Sequence, residues 1–390
     1  MPEPARPLPP AVAIAGCGAV TAVGGTMEEL LAGLRQNATG LRRLLRFDQP
    51  RFQSCVAGAA PIAATDNPAW TLAHTSLVEA RTAAALTLAR LPVGRVGFVL
   101  STTKANIQAL ELLMDNRPCP DAARRHLRPE LLAADLAAEH GARGPVQCVS
   151  VACVSGLIAL QLGAKLIQRG DADAVLVTGV DCLSEFVVAG FSALKALDPA
   201  GCRPFDRDRC GLSPGEAAAT IVLARADLAD RPAALLRGWG VSNDANHLTG
   251  PSRDGSGLAQ AIQAALQSSA LRPEDVDFVH AHGTGTAYND ATESLALRSV
   301  FGDACPPVSG SKGMLGHTLG AAGVVEACIC ILAMRERFLP GIPGLRVAAE
   351  GAPASLVREP RNTSRIKHAL KLNTGFGGIN GAMVLSAFEP

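Results

Sequence analysis

Gly144-Pro145-Val146-Gln147-Cys148-Val149-Ser150-Val151-Ala152-Cys153-Val154-Ser155-Gly156 is the stretch whose reading decides the fold. It opens on a turn signal, runs through alternating β-branched residues, then breaks into small residues and a helical pattern over 157–169. The spacing predicts a strand ending at Ala152 and a helix starting at or just after Cys153. A thiol at that junction faces the positive end of a helix dipole and unpaired backbone N–H groups. Both lower its pKa and favour the thiolate that attacks carbonyls. The competing reading is a small buried hydrophobe, the usual state of a free cysteine, and the chain has ten other cysteines.

Outward from that stretch, strand and helix patterns alternate. The first half reads as a strand at 11–15, a Gly-rich turn, a helix at 26–36, a loop-like 41–68, a helix at 76–90 and a strand at 93–100. Helices at 101–114 and 129–140 flank a basic patch, Arg124, Arg125 and Arg128, and a strand at 173–178 follows the central unit. After a charged bend at 203–209, strands at 218–224 and 233–241 lead into a second round. That round has helices at 257–269, 291–301 and 319–337, with strands at 276–281, 307–310, 355–357, 368–374 and 382–388. Two successive α/β halves with mostly buried strands imply sheets covered on both faces. The expected organisation is a disordered lead at 1–10, a nucleophile half at 11–232 and a second half at 233–390, the repeated unit reading as an internal duplication.

The 390 residues, 48% hydrophobic, suffice for a large core shared by two halves. One Tyr, two Trp and abundant Gly and Ala suit close helix-on-sheet packing. A net charge of +1 gives no reason to expect nucleic acid or an anionic membrane as a partner. The eleven cysteines show no CxxC pair and no metal-ligand spacing, so no metal is expected. Cys328-x-Cys330 reads as core, and reduced thiols fit a cytoplasmic enzyme. Ile14-Ala15-Gly16-Cys17 resembles a lipoprotein cleavage site, but the Pro-rich residues before it lack an apolar h-region. No apolar run is long enough for a membrane span, which requires about 18 residues.

Three further stretches carry chemistry. In Asp277-Phe278-Val279-His280-Ala281-His282-Gly283-Thr284-Gly285-Thr286, a strand runs into a Gly/Thr turn. That places His282 at the strand's end with the hydroxyls of Thr284 and Thr286 beside it; a satisfied turn histidine is the alternative. In Ser309–Gly323, His317 sits in a Gly-rich loop that opens an Ala/Gly helix. Lys312 before that helix needs an anion, for which Glu326 is the candidate, unless it is a solvated loop lysine. Asn373-Thr374-Gly375-Phe376-Gly377-Gly378-Ile379-Asn380-Gly381 reads as a tight turn exposing a backbone N–H, with Phe376 at a pocket wall or in the core. A cysteine with one or two histidines and no carboxylate partner suits acyl transfer through a thioester. Backbone N–H groups of Cys153 and Phe376 would bind the oxyanion, and two neutral imidazoles would stabilise an enolate formed by decarboxylation.

Ala152-Cys153, Arg203-Pro204-Phe205-Asp206, Asp244-x-x-His247-x-Thr249, His282-Gly283-Thr284-Gly285-Thr286, Lys312-x-x-x-Gly316-His317-x-x-Gly320-Ala321-Ala322-Gly323 and Gly375-Phe376-Gly377-Gly378 occur in this order. As a set they closely resemble the elongating β-ketoacyl-ACP synthases of fatty acid and polyketide synthesis, over about residues 11–388. The resemblance implies an α/β thiolase-like fold, two duplicated halves in a five-layered αβαβα core. It implies Cys153, His282 and His317 as the catalytic set and Lys312 as the family lysine, with Glu326 and Glu293 as its acidic partners. It also implies Thr284 and Thr286 as the pantetheine pair, Phe376 as gate and oxyanion donor, and Asp290 as a support for the first histidine. No cofactor is implied, since phosphopantetheine arrives on acyl carrier protein, and the family is usually homodimeric.

Departures from the family bear on substrate. Val154 and Ser155 stand after the cysteine, Thr374 replaces a second Phe near the gate, and 101–128 is short. The His282–Thr286 turn leans towards polyketide-type sequences, so a polyketide or polyene pathway stands beside fatty acid synthesis. Carrier protein is acidic, so a basic rim should receive it. Lys195 aligns with a family docking position, and Arg124, Arg125 and Arg128 are further candidates, against the alternative of ordinary solvated charges. A non-catalytic chain-length factor would lack Cys153, although a heterodimer with such a partner stays open. A degradative thiolase would need a cysteine beyond Cys330, and a Cys-His-Asn starter enzyme, using Asn373 or Asn380, fits the paired histidine loops poorly.

Overall fold

The computed structural model describes residues 11–388, so the lead expected at 1–10 lies outside the described residues. Strands β1 (Val12–Val20), β2 (Val96–Ser101), β3 (Val146–Val149), β4 (Ala174–Asp181) and β5 (Ala217–Arg225) lie in the order β1-β5-β4-β2-β3. Strands β6 (Ala234–Asn243), β7 (Phe278–His280), β8 (Val308–Ser309), β9 (His368–Gly375) and β10 (Ile379–Ser386) repeat it as β6-β10-β9-β7-β8. Directions repeat as well. In each half the first strand is antiparallel to the fifth and the fifth to the fourth, while the fourth, second and third run parallel. The half-sheets join where Val12–Ile14 of β1 pairs antiparallel with Ala234–Leu236 of β6.

Helices α1 (Pro68–Ala83) and α2 (Pro129–Glu139) cover the outer face of the first half-sheet. Helix α4 (Ser256–Ser268), with α5 (Ala287–Phe301) packed on it, covers the second. Between the half-sheets lie α3 (Ser155–Gln168) and α6 (Ala322–Glu336), which touch each other and strands of both halves. The five layers are therefore αβαβα. A helix in the middle layer has no wet face, and every residue of α6 from Ala322 to Met334 is buried. The two central helices meet backbone to backbone. A Cβ added to Gly156 would stand 2.8 Å from the Val324 nitrogen, and one on Gly323 would stand 2.3 Å from the Leu157 nitrogen.

Several boundaries differ from the sequence reading. β1 continues through the expected Gly-rich turn to Val20, because its glycines lie under α1. A Cβ at Gly16 or Gly18 would come 2.5 Å from the Ala80 carbonyl or 2.2 Å from the Ser76 carbonyl. The helix expected over 101–114 begins at Ile107, leaving 102–106 as a loop. Helix Glu185–Ala193 was not anticipated; Ser184 caps it by accepting from the Val187 N–H at 3.2 Å. A short hairpin, Leu41–Arg43 with Val56–Gly58, crosses the loop-like 41–68. Leu356 makes only an isolated bridge to Val308 where a strand was expected. Among the described residues no helix is long and apolar enough to cross a membrane.

Candidate active site

The two central helices begin alike. Ala152 (φ +44°) and Leu319 (φ +51°) each precede α3 or α6 by three residues, and both adopt the left-handed conformation that non-glycine residues avoid. These sharp connections present Cys153 on one side and His317 on the other, and His282 follows β7 in the second half. Cys153 Sγ lies 3.0 Å from His317 Nε2, and the two imidazole rings stand 5.2 Å apart at 83°. All three side chains are buried.

The outer nitrogen of each ring settles its proton. The Leu319 N–H donates to His317 Nδ1 at 3.3 Å. Lys312 Nζ and Asn373 Nδ2 face His282 Nδ1 at 3.2 Å and 3.3 Å. An Nδ1 that accepts leaves the ring proton on Nε2. Burial, reinforced by the Lys312 charge, holds both imidazoles well below the usual histidine range, so they are neutral. The site thus holds two neutral N–H donors beside one sulfur.

The thiol corrects an expectation. Helix α3 starts at Ser155, beyond the cysteine, and burial pushes the Cys153 thiol up to about 11 while Lys312 and Lys104 pull it down. Dehydration outweighs the two lysine charges, so the resting nucleophile is a thiol rather than a thiolate.

Beneath His282 lies a buried charge cluster. Lys312 Nζ donates to Glu326 Oε1 and to the His282 carbonyl, both at 2.5 Å. Glu326 Oε2 accepts from Lys371 Nζ at 2.9 Å and from Asn373 Nδ2 at 3.1 Å. Burial works to raise Glu326, but Lys312 and Lys371 hold its carboxyl at about 2. Sequence reasoning missed Lys371; its signal was a cation inside the apolar strand run His368–Gly375. Glu293 is not a lysine partner as implied. Its carboxylate accepts the N–H groups of His282 (2.6 Å) and Gly283 (2.8 Å), and burial pushes it up to about 7. Asp290 accepts from the Thr284, Gly285 and Phe205 N–H groups, tying the histidine turn to the 203–206 loop.

A cleft of about 730 Å³ runs from the surface to Cys153, His282 and His317. Thr284 and Thr286 line it with hydroxyls 2.9 Å apart. At its mouth the Phe376 ring, 39% exposed, lies 6.1 Å from Phe191. Gly377 (φ +86°) and Gly378 (φ +74°) form the turn after Phe376. The 244–249 motif clamps that turn: Asp244 N–H donates to the Gly378 carbonyl and Gly377 N–H to the Leu248 carbonyl, both at 2.7 Å. Gly375 packs against the Cys153 N–H, since a Cβ there would stand 3.3 Å from that nitrogen. The Cys153 and Phe376 peptides are therefore neighbours. Asp181, also missed from sequence, accepts from Gly320 N–H at 2.7 Å and from Thr102 Oγ1 at 2.9 Å, fixing loop 102–106 against the His317 connection.

Lys195 is exposed and lines the cleft, as does Arg253, which the sequence did not single out. Arg124, Arg125 and Arg128 do not line it. Each is paired with a nearby carboxylate, Asp121, Asp135 and Glu130 respectively. The local sequence supplies its own counter-charges, so a basic run there makes no basic rim.

Comparison with known proteins agrees with this geometry. The family profile described as "Beta-ketoacyl synthase, N-terminal domain" matches residues 63–229, and its C-terminal counterpart matches 233–346. A putative polyketide beta-ketoacyl synthase 1 of Streptomyces halstedii is 33% identical over 422 residues, covering 97% of this chain and 98% of the relative. The 3-oxoacyl-(acyl-carrier-protein) synthase 2 of Staphylococcus aureus (strain COL) is 29% identical over 419 residues, with the same shares. The solved structure of the ishigamide ketosynthase/chain length factor superposes with a TM-score of 0.90 at 30% identity, covering 98% of this chain and 100% of that one.

Proposed function

This chain belongs to the β-ketoacyl synthase family of acyltransferases, and we propose that it lengthens acyl chains on Cys153 by decarboxylative Claisen condensation. Cys153 Sγ attacks the acyl-carrier thioester; the new C–S bond forms as the old one breaks, and the proton leaves on the carrier thiol. The Cys153 and Phe376 N–H groups receive the oxyanion. Malonyl-carrier then loses CO₂, and the enolate oxygen takes hydrogen bonds from Nε2–H of His282 and His317. The enolate carbon attacks the acyl-enzyme carbonyl; the C–C bond forms as the C–S bond breaks, giving 3-oxoacyl-carrier and a Cys153 thiolate that takes a proton from water to return to the resting thiol. The pair of neutral Nε2–H donors facing one cysteine carries this reading, because that set suits an anion that forms and is consumed in place.

No cofactor is called for, as the phosphopantetheine belongs to the carrier, and Thr284 and Thr286 would bind it along the cleft. Acyl carrier protein would dock over Lys195 and Arg253. Identity to polyketide synthases and Thr374 at the gate favour a polyketide or polyene pathway over fatty acid synthesis, in the cytoplasm. A like-folded subunit, a second copy or a chain-length factor, would lie at the β3 edge. Val146 is exposed there, and the touching helices Ile107–Met114 and Glu185–Ala193 expose Met114 and Phe186.

Intact-protein mass after exposure to a panel of acyl-carrier thioesters tests the reading. The wild type should gain an acyl group mapped to Cys153, and Cys153→Ala none. A folded wild type that takes no acyl group from any donor would overturn it in favour of a non-catalytic subunit.

A further inference from the structure

The charges under His282 do not cancel. One carboxylate, Glu326, meets two buried ammonium groups, Lys312 on Oε1 and Lys371 on Oε2. Lys312 with Asn373 already satisfies that carboxylate, so its hydrogen bonding does not require Lys371. Lys371 projects from β9 in register with His280 of β7, and its side chain is 1% exposed. Among the described residues no second carboxylate pairs with it. His280 and His282 are held neutral by burial, and the Glu293 carboxyl, pushed up to about 7, is turned to the His282 and Gly283 N–H groups.

A cation kept from water without its own counter-charge is costly, and the cost is offset where an anion comes within its field. In the condensing reading, on which this inference rests, the anions that enter the cleft are the malonyl carboxylate and the enolate it becomes. The acyl donor for Cys153 is neutral at its reacting end. We propose that Lys371 is a positioning residue that leaves the floor of the site one positive charge in excess and so favours the carboxylate-bearing extender over the neutral acyl donor. It acts through Glu326 and Lys312, which link it to His282, and does not itself line the cleft.

The test measures the two half-reactions separately: acyl transfer to Cys153 by intact mass, and CO₂ release from malonyl-carrier. Lys371→Met keeps length and volume while leaving Glu326 its bonds to Lys312 and Asn373. Lys371→Gln keeps a donor on a side chain one atom shorter and removes the charge. In both variants the malonyl KM should rise, and the ratio of malonyl kcat/KM to acyl-transfer rate should fall on the order of ten-fold. An unchanged ratio in both variants overturns the proposal, whether both half-reactions hold or fall in parallel as a merely structural role would make them. A wild type inactive in both half-reactions would refute the condensing reading itself, so the two failures are distinct.

Discussion

Gly156→Ala bears on the contact that sets the distance between Cys153 and His317. Two effects oppose each other. Alanine is the better helix former by up to ~1 kcal/mol, less at the second residue of a helix. Against that, the new Cβ would stand 2.8 Å from the Val324 nitrogen and 2.9 Å from Gly323 backbone atoms, where ordinary contact begins at 3.4 Å. Both obstacles are backbone, so no rotamer change relieves them, and overpacking of this kind costs ~1–3 kcal/mol. The clash should win by about 1–2 kcal/mol, lowering the melting temperature by a few degrees. Relief comes by parting α3 from α6. That lengthens the 3.0 Å Cys153–His317 contact, since Cys153 precedes one helix and His317 the other. A 1 Å misplacement can cost ~100-fold in rate, so about half that distance should cost on the order of ten-fold. Calorimetry together with condensation rate is the assay. A raised melting temperature at unchanged turnover would refute the argument, showing that propensity governs and the helix crossing yields.

Glu326 should make stability depend on acid. Its carboxyl is held at about 2 against an ordinary 4.5, so its contribution is present above pH 4.5 and is lost as pH falls from there towards 2. The drop is worth about 3 kcal/mol, so Glu326→Gln should be less stable than wild type by that order at pH 7, and the gap should close with acid. Urea unfolding at pH 7, 4 and 3 checks it, and a variant as stable as wild type at pH 7 would contradict it. Lys195→Glu should raise the KM for acyl-carrier substrate on the order of ten-fold, and Arg124→Glu less than about two-fold, because Lys195 lines the cleft and Arg124 does not. Equal effects would move the docking site away from the cleft mouth.

Residues 144–156 and the histidine turns were legible because strand, sharp turn and helix each leave a local signature in residue size and spacing, although the strand ends at Val149 rather than at the expected Ala152. Glu293 shows the limit. Its presence near the site could be read from the motif, but its carboxylate turns to backbone N–H groups rather than to Lys312, a choice made by packing. The acidity of Cys153 failed for a related reason: a helix terminus is local and readable, whereas burial is set by residues more than a hundred positions away. Lys371 and Asp181 were missed because single charged residues in apolar runs reveal their purpose only beside their partners. Gly16 and Gly18 looked like a turn because glycine permits turns, but here it makes room for a helix from another part of the chain.

The middle layer is assembled from both halves of the chain, and this has a consequence during synthesis. Helix α3 leaves the ribosome well before α6, by on the order of ten seconds at ordinary rates of translation. Through that interval Leu157, Leu160 and Ile167, all buried in the finished protein, lack the helix and half-sheet that cover them. The nascent chain therefore carries an apolar face with nothing yet to bury it, beside a nucleophile whose cleft is not yet built. Cys153 comes to lie at the bottom of its cleft only when the last third of the chain closes over it.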